Sequence, residues 1–333
     1  VKDGIKRIFF GKFFLDASVH TLLMKVRDVV SIGNIVVDFV AANVSEMPKW
    51  GQLVEVGEPI RSSVGGNSGI FSCVSSRLGL KVSIVGAVGT DFMGDWVVNE
   101  MQNFGVDTSY IKQTDTQTST TLAMANPEGE RAFVHYVGSN ARLTLEDIDQ
   151  RLISDSRALM LSAYFIMPGL YGEPSRKLLA YAKEKGVLTV FDVAWDPHGR
   201  WVLDKILENV DIFIPNIDEA EMLAGTRSAS ESSAKFIEMG AKMVVIKMGK
   251  EGVFVRSKNE TFHIPAFKVK AIDATGAGDT FNASFVYAYL KGWELKKCAI
   301  FANAAGALKV TKVGGVSSAP TEKEIMEFIE KNR

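Results

Sequence analysis

From residue 28 onward, short apolar runs rich in β-branched residues alternate with amphipathic stretches of helical period. The runs are Val29 to Ile32, Val82 to Val85, Leu159 to Leu161, Val187 to Phe191, Ile212 to Ile214 and Met243 to Ile246, and most are followed by a helical pattern. A strand followed by a crossover helix is the unit of a parallel sheet buried on both faces. The alternation therefore predicts an α/β protein with a mostly parallel, doubly wound sheet. Two stretches break the rhythm. Asp38 to Val64 and Thr118 to Val137 have strand character and turn signals but no helix to cross over. In the second, Pro127 to Glu130 separates Thr121–Ala125 from Ala132–Tyr136, which predicts a hairpin. These segments are expected to form a small separate sheet, inserted in the larger unit because no repeat or low-complexity linker divides the chain.

Past Ala277 the apolar residues Phe281, Phe285 and Ala288 recur at i, i+4 and i+7, so a helix is expected to begin there. Gly276, Ala277 and Gly278 then form its first turn, where peptide N–H groups lack intrahelical partners and sit at the positive end of the helix dipole. Residues this small let a phosphate come close to the backbone. Asp279 follows directly, and a carboxylate beside an anion hole suits a base that takes a proton from a hydroxyl attacking phosphorus. An acidic residue in a first turn is also favoured by the dipole alone, so the local sequence leaves both readings open.

The run Asp273-Ala-Thr-Gly-Ala-Gly-Asp279-Thr-Phe-Asn282 resembles the nucleotide-site signature of the ribokinase-like (PfkB-type) carbohydrate kinases, although Ala274 stands where Thr is usual. Other marks follow in that family's order: Asp38, Gly65-Gly66, Gly89-Thr-Asp-Phe-Met-Gly94, Asn216-Ile-Asp-Glu219, and Lys247-Met-Gly249 before Gly252. Ordered recurrence of several weak motifs is far more specific than one of them. The resemblance spans residues 28 to 330. It implies a ribokinase-like three-layer α/β/α core with a β-sheet lid formed by the segments near 38–64 and 118–137.

Composition narrows the partners. With 333 residues, 47% apolar and 23% charged, the chain can bury a large core, and its formal net charge is −1 without a block of Lys or Arg. Neither nucleic acid nor membrane is an expected partner. No apolar stretch reaches the ~18 residues of a bilayer span. Cys73 and Cys298 lie in apolar helical patterns without metal-ligand spacing and are read as core residues, so a cytoplasmic location is expected. Residues 1–27 are expected to be an N-terminal extension outside the core. Gly11, Lys12 and Asp16 interrupt its apolar part, so it is a poor signal peptide. Met24 reads as the natural opening of the first strand, with an upstream start assignment as the expectation and an extra docked segment as the alternative.

Ligands of an open α/β sheet bind beyond the carboxyl ends of its strands. Asp38, just past the first strand, could bind two neighbouring hydroxyls, as the resemblance implies, or be a solvated turn residue. Gly65 and Gly66 would bring a sugar close to the backbone. The family's Asn four residues later is Ile70 here, and Asn67 is the available substitute. Gly138-Ser-Asn140-Ala-Arg142 resembles the ribokinase branch, which makes Asn140 a further substrate contact. Asn216 and Glu219, at i and i+3, could hold the waters of Mg²⁺ or simply cap a helix. The resemblance assigns Asn216, Lys247, Gly249, Gly252 and Asn303 to the nucleotide. It also implies a potassium ion at Asp273, Thr275, Gly314 and Ser318, and a homodimer formed through the lid. After another strand, Asp192 to Trp201 carries two acids and Arg200, which is read as a surface residue beyond a turn.

The expected function is an ATP- and Mg²⁺-dependent transfer to a hydroxyl of a small sugar, sugar acid, polyol or nucleoside, with Asp279 as base and Gly276, Ala277 and Gly278 as anion hole. One alternative is a catalytically silent sugar or nucleotide binder of the same fold. Another is a vitamin or pyrimidine kinase of the superfamily, against which the Gly-Ala-Gly-Asp run and the hairpin speak. A dinucleotide-dependent oxidoreductase lacks its early glycine fingerprint, which Gly33 to Asp38 does not supply.

Overall fold

The computed structural model describes residues 25–127, 131–312 and 314–332; the expectation for residues 1 to 23 lies outside them. Its strands are β1 Arg27–Ile32, β2 Val36–Ala41, β3 Arg61–Gly65, β4 Val82–Gly89, β5 Asp107–Thr114, β6 Thr120–Ala125, β7 Arg131–Tyr136, β8 Ser156–Leu161, β9 Leu188–Phe191, β10 Ile212–Phe213, β11 Met243–Lys247, β12 Val253–Ser257 and β13 Thr261–Ile264. Among the described residues, one nine-stranded sheet runs β13-β12-β11-β10-β9-β8-β1-β4-β5, and a four-stranded sheet runs β3-β2-β6-β7. In the large sheet the pairs from β5 through β11 are parallel, and β12 and β13 add an antiparallel edge.

Neighbouring residues of the central strands feed opposite cores. Val29, Met160 and Val245 pack into one, and Val30, Leu159 and Val244 into the other. That is the period of two acting on strands covered on both sides, and it explains why their sequences are apolar without alternation. The first core is completed by helices Asn67–Arg77, Phe92–Asn103, Ala277–Leu290, Leu295–Lys309 and Glu322–Lys331, and the second by Glu173–Glu184 and Ala229–Glu238. A fully buried Phe such as Phe285 contributes about 1.5–3 kcal/mol. Both cysteines are buried and free, inside helices of the first core.

The lid differs from expectation in detail. Asp38 lies within β2 rather than in a turn after the first strand, facing Ser63 of β3 and Thr121 of β6 across the small sheet. Residues 42–60 carry no strand. The Gly89–Gly94 motif ties the lid to the core, because Asp91 caps helix Phe92–Asn103 through Gly94 N (2.9 Å) and also accepts from Thr118 N (2.7 Å) just before β6.

Candidate active site

The carboxyl ends of β9, β10 and β11, which are adjacent in the sheet, are followed or closed by Asp192, Asn216 and Lys247. Opposite them begins helix Ala277–Leu290. Gly276 caps it in the left-handed conformation, φ 73°, which glycine adopts without strain, and Asp279 lies in its first turn. Side chains distant in sequence then join. Asn67 Nδ2 donates to Asp279 Oδ1 at 3.1 Å and to Asp192 Oδ2 at 3.4 Å. Lys247 Nζ donates to Asp192 Oδ1 at 3.3 Å and to Asn282 Oδ1 at 3.1 Å. Asn67 is therefore joined to Asp192 and Asp279, which an apolar Ile70 side chain could not be. Asp192 and Asn282 are the residues that sequence reasoning missed. Asp192 was visible only as an acid at a strand end, and Asn282 only as the last letter of the glycine-rich run.

Burial, with acid crowding second, sets the electrostatics. Burial, and then the charge of Asp192, push the Asp279 carboxyl up to about 7 against the pull of Lys247 and Asn67. Glu219 is raised to about 7 by burial and Asp192. Asp38 is raised to about 7, chiefly by burial, with the Thr121 hydroxyl pulling it down. Asp38 also explains its glycine neighbour: a Cβ on Gly65 would lie 2.2 Å from the Asp38 Cγ, so any larger residue would displace the carboxylate. Gly66 is the N-cap of helix Asn67–Arg77 and sits close over the Asn34 carbonyl.

Beside the acids runs a cleft of about 510 Å³, lined by Lys247, Gly249, Gly252, Ala277, Gly278, Phe281, Asn303 and Val310 among others. Ala277 and Gly278, two of the three expected anion-hole residues, and four of the five expected nucleotide residues thus share one cavity wall. Asn216 does not line it. It forms a reciprocal cap with Glu219, each side chain accepting from the other's backbone N–H at 2.8 Å. Asn303 Nδ2 is held by the Pro265 carbonyl at 2.7 Å.

Two other expectations change character. Both ends of the Asn140 amide are engaged by Ile35, which donates to Oδ1 at 3.1 Å and accepts from Nδ2 at 3.0 Å, so Asn140 fastens the start of the lid and keeps one donor and one acceptor for any further partner. Arg200 is not a free surface residue. It pairs with buried Asp196 (3.0 Å), donates to the Phe165 carbonyl at close range, and lies 4.2 Å from the Tyr171 ring centroid. Asp273, Thr275, Gly314 and Ser318 do converge, through Thr275 N and Gly314 N donating to Asp273 and Ser318 donating to the Gly314 carbonyl.

The residues of the acid cluster fit a divalent cation held through water. Glu219, Asp192 and Asp279 place mutually repelling charge around one space, which suits a cation that keeps its hydration shell. A helix start of small residues with Asp279 in its first turn, beside a cleft and several buried carboxylates, is an arrangement suited to a phosphotransferase acting on a hydroxylated small molecule. The pfkB family carbohydrate kinase pattern matches residues 26–322, and the chain belongs to that family. It is similar to a ribokinase of Haemophilus influenzae, 34% identical over 283 residues covering 82% of this chain and 90% of that one. It also resembles a 5-dehydro-2-deoxygluconokinase of Clostridium botulinum, 27% identical and covering 92% of this chain and 94% of the relative. A candidate ribokinase II from E. coli, solved with ATP and Mg²⁺, superposes with a TM-score of 0.80 at 26% identity, covering 92% of this chain and all of the other.

Proposed function

We propose that this carbohydrate kinase transfers the γ-phosphoryl group of ATP to a hydroxyl held between the lid and Asp279. The observation that carries the reading is the placement of Asp279: a carboxylate raised to about 7, in the first turn of the anion-hole helix and tied to Asp192 through Asn67. Asp279 accepts the proton of the attacking hydroxyl, a base being most effective when its pKa lies near the working pH. The backbone amides at Gly276 to Gly278 hold the phosphoryl oxygens, and Lys247 adds a positive charge at the same mouth. Mg²⁺, when bound, neutralises charge on the nucleotide phosphates; Glu219 and Asp192 would hold it through water. Asp38 binds two acceptor hydroxyls. The kinase domain covers residues 28–330 with the lid inserted, and a cytoplasmic location goes with it. Among the described residues no helix is long and apolar enough to cross a membrane.

The named relatives favour neutral sugars and sugar acids among the acceptors considered. Arg131, Phe133 and His135 of β7 fall on the same face of the lid as Asp38 and Thr121 by strand register, and Arg131 lies within electrostatic reach of Asp279. That favours an acceptor bearing a carboxylate. The opposite face exposes Leu122, Val134 and Tyr136, a surface suited to a homodimer through the lid. The test is a panel of sugars, sugar acids, polyols and nucleosides with ATP and Mg²⁺. Phosphorylated product is expected from at least one polyhydroxylated acceptor, and preferentially from acids. If no acceptor raises ADP release above that of Asp279→Asn, the reading fails.

A further inference from the structure

Asn67 sits on a backbone that has little room to move. It opens helix Asn67–Arg77, and the residues on either side of it are tied to Asn34 in the loop between β1 and β2. Gly66 lies so close over that loop that a Cβ there would be 2.6 Å from the Asn34 carbonyl oxygen. Gly69 N donates to the same carbonyl at 3.3 Å, and Ser68 N donates to Asn34 Oδ1 at 3.4 Å. The Ser68 and Ser162 hydroxyls share a hydrogen bond of 2.6 Å. On this fixed base the Asn67 amide turns its nitrogen to two acids. A carboxylate only accepts, and an amide nitrogen has two N–H groups to give. One reaches Asp279 Oδ1 at 3.1 Å and the other Asp192 Oδ2 at 3.4 Å. Asp192 is held from its far side as well, since its Oδ1 accepts from Lys247 Nζ at 3.3 Å and its backbone N donates to the Leu161 carbonyl at 3.0 Å. Asp279 is different. Its Oδ1 is engaged by Asn67, and its Oδ2 has no hydrogen-bond partner among the described residues.

We propose that Asn67 is a positioning residue for phosphoryl transfer and not a sugar contact: its amide holds the Asp279 carboxylate in one rotation, with Oδ1 occupied and Oδ2 left to take the proton. The inference rests on Asp279 being the base. Oδ2 takes the proton of the acceptor hydroxyl as that oxygen bonds to the γ-phosphorus; the bond from this phosphorus to the bridging oxygen breaks, and ADP leaves with the electron pair. A carboxylate free to rotate would often aim neither oxygen at the hydroxyl, and a misplacement of ~1 Å can cost about 10²-fold in rate.

The test uses two variants of the full chain that lack both donors: Asn67→Leu, of similar volume, and Asn67→Asp, of the same shape. Each should lower kcat by roughly 10- to 100-fold, while acceptor KM and ATP affinity by calorimetric titration stay within about threefold. Asn67→Ser, with a single donor, should fall between these and wild type. A kcat within about twofold of wild type in Asn67→Leu or Asn67→Asp overturns the proposal. So does an acceptor KM that rises by a larger factor than kcat falls, which is the mark of a sugar contact. A second arm needs no turnover. At about pH 8, where Asp279 is charged, Asn67→Leu should lower the melting temperature of the free protein by about 2–4 °C, and by clearly less in an Asp279→Ala background that has already lost the partner. Equal drops in both backgrounds overturn the proposal. Should Asn67→Leu not fold, Asn67→Ser takes its place in both arms. If wild type turns over no acceptor, the function proposed above fails, and the melting comparison still decides whether Asn67 holds the Asp279 carboxylate.

Discussion

The two walls of the site are built on opposite principles. The nucleotide cleft is made of small and apolar residues, Ala274, Ala277, Gly278, Phe281 and Val310, with Lys247 at its mouth. The acceptor side gathers Asp38, Asp192, Glu219 and Asp279, three of them raised to about 7. The cleft offers backbone donors and contact area to a polyanion, and the acid side offers acceptors to hydroxyls and to hydrated Mg²⁺. On the proposed reading, Asp279 at the seam would meet both substrates. The difference teaches that affinity and chemistry are divided between the walls, so mutations on each should fail differently.

The largest effect is expected from Asp279→Asn, which keeps the helix start and removes the proton acceptor. Turnover should fall by roughly 10² to 10⁴, with the fold retained. ATP affinity should hold or improve, since a like charge is removed from beside the amides, and calorimetric titration would show it. Wild-type turnover in the folded variant would end the catalytic assignment. Asp38→Ala comes next: a rise in acceptor KM on the order of tenfold or more with nucleotide affinity nearly unchanged, two charge-assisted hydrogen bonds having been lost. Gly65→Ala should imitate it, because the new methyl would occupy the Asp38 carboxylate position. Equal weakening of both ligands by either change would break the division between walls.

The smallest effect concerns stability. Asp38 and Asp279 rise from 3.8, and Glu219 from 4.5, to about 7 in the folded chain. Between about pH 4 and 7 the folded state therefore holds protons that the unfolded state has released, and ∂ΔG/∂pH is negative for these groups. Carboxyls shifted downward, such as Asp91 and Asp196, act the other way only as pH falls below their unfolded values near 3.8. The ligand-free protein should melt a little higher at pH 5.5 than at pH 7.5. A higher melting temperature at pH 7.5 would show that the acid wall is charged and compensated in the free fold.

Much of this molecule could be read from its sequence because the signals are local. The apolar runs marked six strands of the large sheet, and the glycines before Asp279 marked the start of helix Ala277–Leu290. Edge strands β5, β12 and β13 carry mixed polar sequences and gave no such signal. Partners across long sequence separations were hidden too: nothing near Asn67 shows that it will meet Asp192 and Asp279, 125 and 212 residues away. Residue type also says what a group can bind and not what has already claimed it. Asn140 gave no sign that Ile35 would bond both ends of its amide, and Arg200 looked free until Asp196 and Tyr171 were found around it.

The central claim is that burial and, after it, the charge of Asp192 tune Asp279 as a base, and the pH dependence of kcat/KM in wild type and in Asp192→Asn tests it most directly. In the free enzyme the wild-type profile should rise with an apparent pKa of about 7, the value at which burial and Asp192 hold Asp279. Removing the charge of Asp192 should shift that rise to lower pH, because the second cause of the elevation is gone while Asn67 still donates to Asp279. A wild-type profile already flat at pH 5, or a rise at the same pH in both proteins, would contradict the account.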